Sequence, residues 1–132
     1  MTMNTIFVCE KRGNIKKDIT LADLQRRIEK VIRYVDLNLN STIDIRELSD
    51  IACMSEYHFI RVFDQLCGCT PYQYLIKKRI AKAKKMLRYK FYTVMEVSHA
   101  CGYESVQTFR KCFKRETGYS PRDFNKIQLA VA

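Results

Sequence analysis

The feature that most constrains this chain is an internal duplication. The stretch from Asp50 to Pro71, DIACMSEYHFIRVFDQLCGCTP, recurs from His99 to Pro121 as HACGYESVQTFRKCFKRETGYSP. Phe59, Phe63, Gly68 and Pro71 pair with Phe109, Phe113, Gly118 and Pro121 at an offset of 50. Upstream the offset is 49, pairing Ile45, Leu48, Ile51, Ala52 and Met54 with Val94, Val97, Ala100, Cys101 and Tyr103. One inserted residue near Glu104 accounts for the change. A repeat of this length is one supersecondary unit used twice.

The chain has 132 residues, enough for one domain or for two very small lobes sharing a helix. Four Gly and two Pro are too few for the tight turns of an all-β fold, so the expectation is all-α. No apolar run approaches the ~18 residues of a membrane span, and the first ten residues lack a signal-peptide core, so a cytoplasmic protein is expected. In that reducing setting the six cysteines read as small buried side chains rather than disulfides. Cys53, Cys101 and Cys112 fall at apolar or tight positions of the repeat, as that reading requires.

Residues 1–20 show no period and read as a loose arm. Leu24, Ile28, Val31, Ile32, Val35 and Leu39 then recur at helical spacing, predicting an amphipathic helix from Leu21 to about Leu39. A short helix is expected from Ile45 to Ala52, opened by Asp44. A turn at Cys53 and Met54 follows, then a helix capped by Ser55 that buries Phe59, Val62, Phe63 and Leu66. The same period turns Tyr57, Ile60, Arg61 and Asp64 outward. Gly68 suits that helix's C-terminus, and Pro71 the first turn of a long helix reaching about Arg88. The second copy repeats the plan. Ser105 caps a helix burying Phe109, Cys112 and Phe113 and exposing Val106, Gln107, Arg110, Lys111 and Lys114, and Pro121 opens a final short helix. The resulting segments are 1–20, an arm; 21–70, a first helical subdomain; 71–90, a linker helix; and 91–132, a second subdomain.

Net charge is +10, and residues 71–90 contribute eight cations and no acid. Such a field attracts polyanions, chiefly nucleic acid or an anionic membrane surface, when it is more than a solvated helix face. Two copies of a helical unit joined by a basic segment suit two neighbouring grooves of duplex DNA.

The linker reads Pro71-x-x-Tyr74-Leu75-x-x-x-Arg79-Ile80-x-x-Ala83-x-x-Met86-Leu87. The second copy reads Val94-x-Glu96-Val97-x-x-x-x-Gly102-Tyr103-x-x-x-x-x-Phe109-x-Lys111-x-Phe113-Lys114-x-x-x-Gly118-x-Ser120-Pro121. From about Leu24 to Lys126 the chain resembles the DNA-binding domain of the AraC/XylS family of bacterial transcription regulators, and in length its small stand-alone members. The resemblance implies about seven helices in two helix-turn-helix subdomains joined by a long linker helix. Each would offer a recognition helix to successive major-groove segments of double-stranded DNA. It also implies a transcriptional activator that binds as a monomer and recruits RNA polymerase.

Base reading is expected from Tyr57, His58, Ile60 and Arg61 in the first recognition helix, and from Val106, Gln107, Thr108, Arg110 and Lys111 in the second. Gln suits adenine, Arg and Lys suit guanine, and Ile60 suits a thymine methyl. Phosphate contact is expected from Ser55, Lys78, Arg79, Lys82, Ser105 and Lys114, with Arg79 alternatively a brace. The two copies differ in charge. Residues 55–66 carry one cation against two carboxylates, residues 105–116 four cations against one. Asp64 stands where the second copy has Lys114, so the second copy and the linker are expected to supply most of the affinity. Ser98, Lys111, and Phe124 with Asn125 also depart from the family pattern; Lys111 gives up the bidentate geometry of Arg.

Three rival readings remain. Cysteine-rich alkyl-transfer repair enzymes carry the same type of module, but Cys67-Gly68-Cys69 has no second cluster to complete a zinc site, and His58 and His99 form no metal set. No catalytic residue, cofactor or metal is therefore assigned. A nonspecific nucleoid-type DNA-binding protein is allowed by charge, and an adaptor that has lost DNA reading by Glu56 and Asp64.

Overall fold

The computed structural model describes residues 19–89 and 91–131, and the expected arm lies outside them except for Ile19 and Thr20. The described residues form seven α-helices: α1 Leu21–Leu37, α2 Ile45–Ile51, α3 Glu56–Cys67, α4 Pro71–Leu87, α5 Val94–Ala100, α6 Val106–Thr117 and α7 Pro121–Val131. Every expected helix is present, with ends shifted by a residue or two.

Polar side chains set where the helices start. Thr20 and Thr93 make capping boxes with Asp23 and Glu96, each hydroxyl accepting the amide three residues on. Ser55 and Ser105 accept the amides of His58 and Thr108 at 3.2 and 3.1 Å. Thr70 and Ser120 do the same for Gln73 and Asp123, just ahead of Pro71 and Pro121 at the first helical position. Gly68 and Gly118 close α3 and α6 in the left-handed region, at φ 78° and 86°.

The chain divides into two compact units. The first takes the described residues through Asn38 and Ile43–Tyr74; the second takes Leu39–Thr42 and the chain from Leu75 onward. In the first, α1 lays Ile28, Val31 and Val35 into a core with Leu48, Ala52 and Met54 and with Phe59, Val62 and Phe63 of α3. Leu66, expected inside, is only partly buried. Phe63 meets Phe59 and Tyr74 edge-on, both at 5.7 Å. The Tyr74 hydroxyl reaches Asp36 at 3.2 Å.

In the second unit α4 does what α1 does in the first. Ile80, Ala83 and Leu87 take the places of Ile28, Val31 and Val35, an offset of 52, and pack on Val97, Cys101, Tyr103, Phe109, Cys112 and Phe113. Phe113 meets Phe109 at 5.7 Å and Phe124 at 5.3 Å, the same ring ladder as in the first unit. Phe59, Phe63, Phe109 and Phe113 are all fully buried, and truncating one such ring to Ala costs about 3–5 kcal/mol. From Ile76 to Leu87 the expected linker thus contributes one side to a core.

Candidate nucleic-acid interface

Each paired-helix turn is a left-handed cap. The amides of Cys53 and Met54 donate to the carbonyls of Asp50 and Ser49, both at 3.0 Å; those of Gly102 and Tyr103 donate to His99 and Ser98 at 3.1 and 3.0 Å. Cys53 and Gly102 supply the positive φ, 58° and 90°. From there the first unit needs only Met54 before its cap Ser55, whereas the second inserts Glu104 between Tyr103 and Ser105. The inserted residue inferred from the repeat therefore lies in the loop and leaves the helices in register.

With Phe59, Val62 and Phe63 locked inside, α3 turns Tyr57, His58, Ile60, Arg61 and Asp64 to solvent. The Arg61 guanidinium lies 5.7 Å from the centre of the Tyr57 ring and 3.5 Å from its hydroxyl, one helical turn away. On α6, Gln107, Thr108, Arg110, Lys111 and Lys114 are exposed opposite Phe109, Cys112 and Phe113, and Val106 is half-buried. The Thr108 hydroxyl accepts from Ser105 at 2.9 Å, so Ser105 serves as a cap with both its acceptor and its donor. Each group of base-reading candidates thus shares one face of one helix.

The α4 cations are used differently. Arg79 donates through Nε to the Leu39 carbonyl at 3.0 Å and through Nη2 to the Ser41 carbonyl at 2.8 Å, and its guanidinium lies 5.4 Å from the centre of the Tyr103 ring. Lys82 donates to the Ala100 carbonyl at 2.8 Å, satisfying a carbonyl at the end of α5. Arg27, the counterpart of Arg79 on α1, reaches the Ala52 and Cys53 carbonyls at 3.4 and 3.3 Å. Arg79 and Lys82 thus hold backbone, while Lys78 is half-buried and Lys77, Lys85 and Arg88 are exposed. These carbonyl partners carry no sequence signature, because a cation bound to a carbonyl and one bathed in water look alike in a helical pattern.

Among the described residues no His, Cys, Asp and Glu cluster could hold a metal ion, and no helix is long and apolar enough to cross a membrane. Cys53, Cys67, Cys69, Cys101 and Cys112 are free thiols. Burial, and then Cys69 beside it, pushes the Cys67 thiol above its ordinary value.

A helix-turn-helix domain family matches residues 48–127, from α2 into α7 and so across both paired-helix turns. The chain belongs to the AraC/XylS-type helix-turn-helix family. Its fold is that of the DNA-binding domain of AdpA, solved in complex with a target DNA. The two are 32% identical, with a TM-score of 0.75 over 79% of this chain and 94% of that one. The HTH-type transcriptional activator RhaS of Salmonella arizonae is 36% identical over 126 residues, 96% of this chain and 45% of RhaS. The bifunctional transcriptional activator/DNA repair enzyme AdaA of Bacillus subtilis is 27% identical over 100 residues, 76% of this chain and 47% of AdaA. The chain spans about a quarter to about a half of the length of the curated relatives it matches.

Proposed function

We propose that this family member is a sequence-specific regulator of transcription, an activator rather than an enzyme, that binds double-stranded DNA as a monomer in the cytoplasm. Helices α3 and α6 enter successive major-groove segments, and the DNA-bound chain recruits RNA polymerase. The observation that carries this reading is the single polar face of α6, with Gln107, Arg110 and Lys111 above a sealed aromatic core, in a chain 32% identical to a domain solved on its target DNA. Activation is supported by the likeness to RhaS, named as an activator.

Gln107, Arg110 and Lys111 read base edges, and Thr108, tied to Ser105, sets the N-terminal approach of α6. On α3 the reader is Arg61, with Tyr57, His58 and Ile60 shaping its surroundings. Ser55 and Ser105 act chiefly through the helix ends they cap, and Lys114 and Lys78 are the phosphate contacts of the set. The second unit supplies most of the affinity, since Asp64 faces outward where Lys114 does in its copy.

Selection of bound sequences from a random duplex pool tests this. Two short half-sites about ten base pairs apart are expected. Arg110→Ala should relax preference at one position of one half-site, with a loss of about 1–3 kcal/mol for the preferred base. Equal competition by random and selected DNA at physiological salt would instead mark a nonspecific binder.

A further inference from the structure

The two units carry different pairs at one matched location. Arg46, near the start of α2, places Nε 3.6 Å from the Glu56 carboxylate at the first position of α3. Their counterparts are Met95 and Val106, at the same places on α5 and α6. An ionic pair in one unit is therefore replaced by an apolar pair in the other, both members changing together.

The ion pair does little for stability. The Arg46 side chain is 77% exposed and that of Glu56 47%, a setting in which solvent screening leaves such pairs weak. Its position is more informative. Glu56 precedes the exposed Tyr57 and lies one helical turn before Ile60, so Arg46 stands beside the N-terminal turn of α3 that carries those two side chains. That helix, α3, is also poor in cations. Arg61 is its one Arg or Lys, and Asp64 replaces the counterpart of Lys114, whereas α6 carries Arg110, Lys111, Lys114 and Arg115 itself.

We propose that Arg46 is a phosphate-binding residue of the first unit, held beside the start of α3 by Glu56, and that it supplies from α2 the positive charge that α6 carries on its own helix. The inference rests on the DNA-binding reading and assigns it a contact outside both reading helices. A guanidinium anchored through Nε still presents its two Nη groups, a fork suited to a phosphate. Glu56 then acts as a positioning residue: its carboxylate draws the guanidinium toward the start of α3.

The test measures binding of the full chain to a selected duplex across a range of salt. Arg46→Ala should lower the slope of log affinity against log salt by about 0.9, so that the wild-type advantage shrinks about 3.5-fold when salt is raised about fourfold. Base preferences should stay as they are, since a phosphate contact carries no sequence information. Met95→Arg, at the matched site of the second unit, should raise the slope by a similar amount. Glu56→Gln should leave the slope near wild type while weakening binding less than Arg46→Ala does. Wild-type affinity and slope in Arg46→Ala, with unchanged helical content by circular dichroism, would overturn this proposal and leave the DNA reading standing. Absence of salt-dependent duplex binding by the wild-type chain would overturn both.

Discussion

The turn that joins the paired helices rests on Cys53 in the first unit and on Gly102 in the second, with the same hydrogen bonds around each. The difference lies in what stands beside them. A Cβ on Gly102 would sit 2.2 Å from the Leu39 carbonyl oxygen and 2.8 Å from Nη2 of Arg79, distances real Cβ atoms do not reach. Backbone approaches there so closely that only hydrogen fits. At Cys53 a thiol side chain is accommodated, at a left-handed backbone that costs about 1–2 kcal/mol. A second contrast runs through the cores. Met54 and Val62 are apolar, while their counterparts Tyr103 and Cys112 are joined by a hydrogen bond of 3.2 Å from the buried hydroxyl to sulfur. Duplication thus kept the frame and let each copy settle its own interior.

The sharpest way to break this contrast is Gly102→Ala, which should destabilise the protein by at least about 2 kcal/mol in urea denaturation. Cys53→Ala, at the matched turn, should stay within about 1 kcal/mol of wild type; equal losses would show that the two turns have the same surroundings.

Arg79→Ala should cost about 2 kcal/mol, because it removes two charge-assisted bonds to the Leu39 and Ser41 carbonyls. The salt slope of DNA binding should stay unchanged in this variant. A drop of about 0.9 in that slope would return Arg79 to the phosphate contacts.

High pH should weaken the second unit. Burial pushes the Cys101 thiol up to about 11, from an ordinary 9.0, against the lowering effect of Lys82 and Arg79. A raised folded value contributes stability that is complete below pH 9 and lost as pH rises through about 11. In the first unit burial raises the Cys67 thiol as well, and Tyr34, hydrogen-bonded to Glu47, is held at about 12. Stability followed from pH 8 to 11 should fall in the wild type and fall less in Cys101→Ala; parallel curves would contradict the assignment.

The smallest effect expected is a gain. Cys53→Gly relieves the positive φ at 58° and, net of the added freedom of the unfolded chain, should stabilise the protein by about 0.5–1 kcal/mol in urea denaturation; a loss would contradict it.

Much of this was legible in the sequence because it is local. Phe59, Val62 and Phe63 bury one side of α3 at a period of 3.6 residues, and Tyr57, Ile60 and Arg61 necessarily face the other. Ser55, Ser105, Gly68, Gly118, Pro71 and Pro121 mark helix ends by chemistry that acts within a turn of the chain. Both solvent-facing sides are therefore legible without the fold. Less visible was the correspondence of α1 with α4, where Val31 and Val35 answer to Ala83 and Leu87. Buried apolar positions accept any side chain that fills the space, so that part of the repeat has lost its identity while keeping its role. Ser49 and Ser98 were hidden for another reason. Both are buried, and each bonds the carbonyl three residues back at 2.9 Å, which makes a polar residue acceptable in an otherwise apolar place.

By itself the sequence determined the seven helices, their caps, the duplicated plan and the faces turned to solvent, since propensity, capping and amphipathic period operate within a few residues. Tertiary structure alone decided which cations are spent on backbone carbonyls, why Gly102 tolerates no side chain, and that Arg46 stands beside Glu56. Those outcomes depend on groups 10 to 63 positions apart in the chain, brought together only when the helices pack.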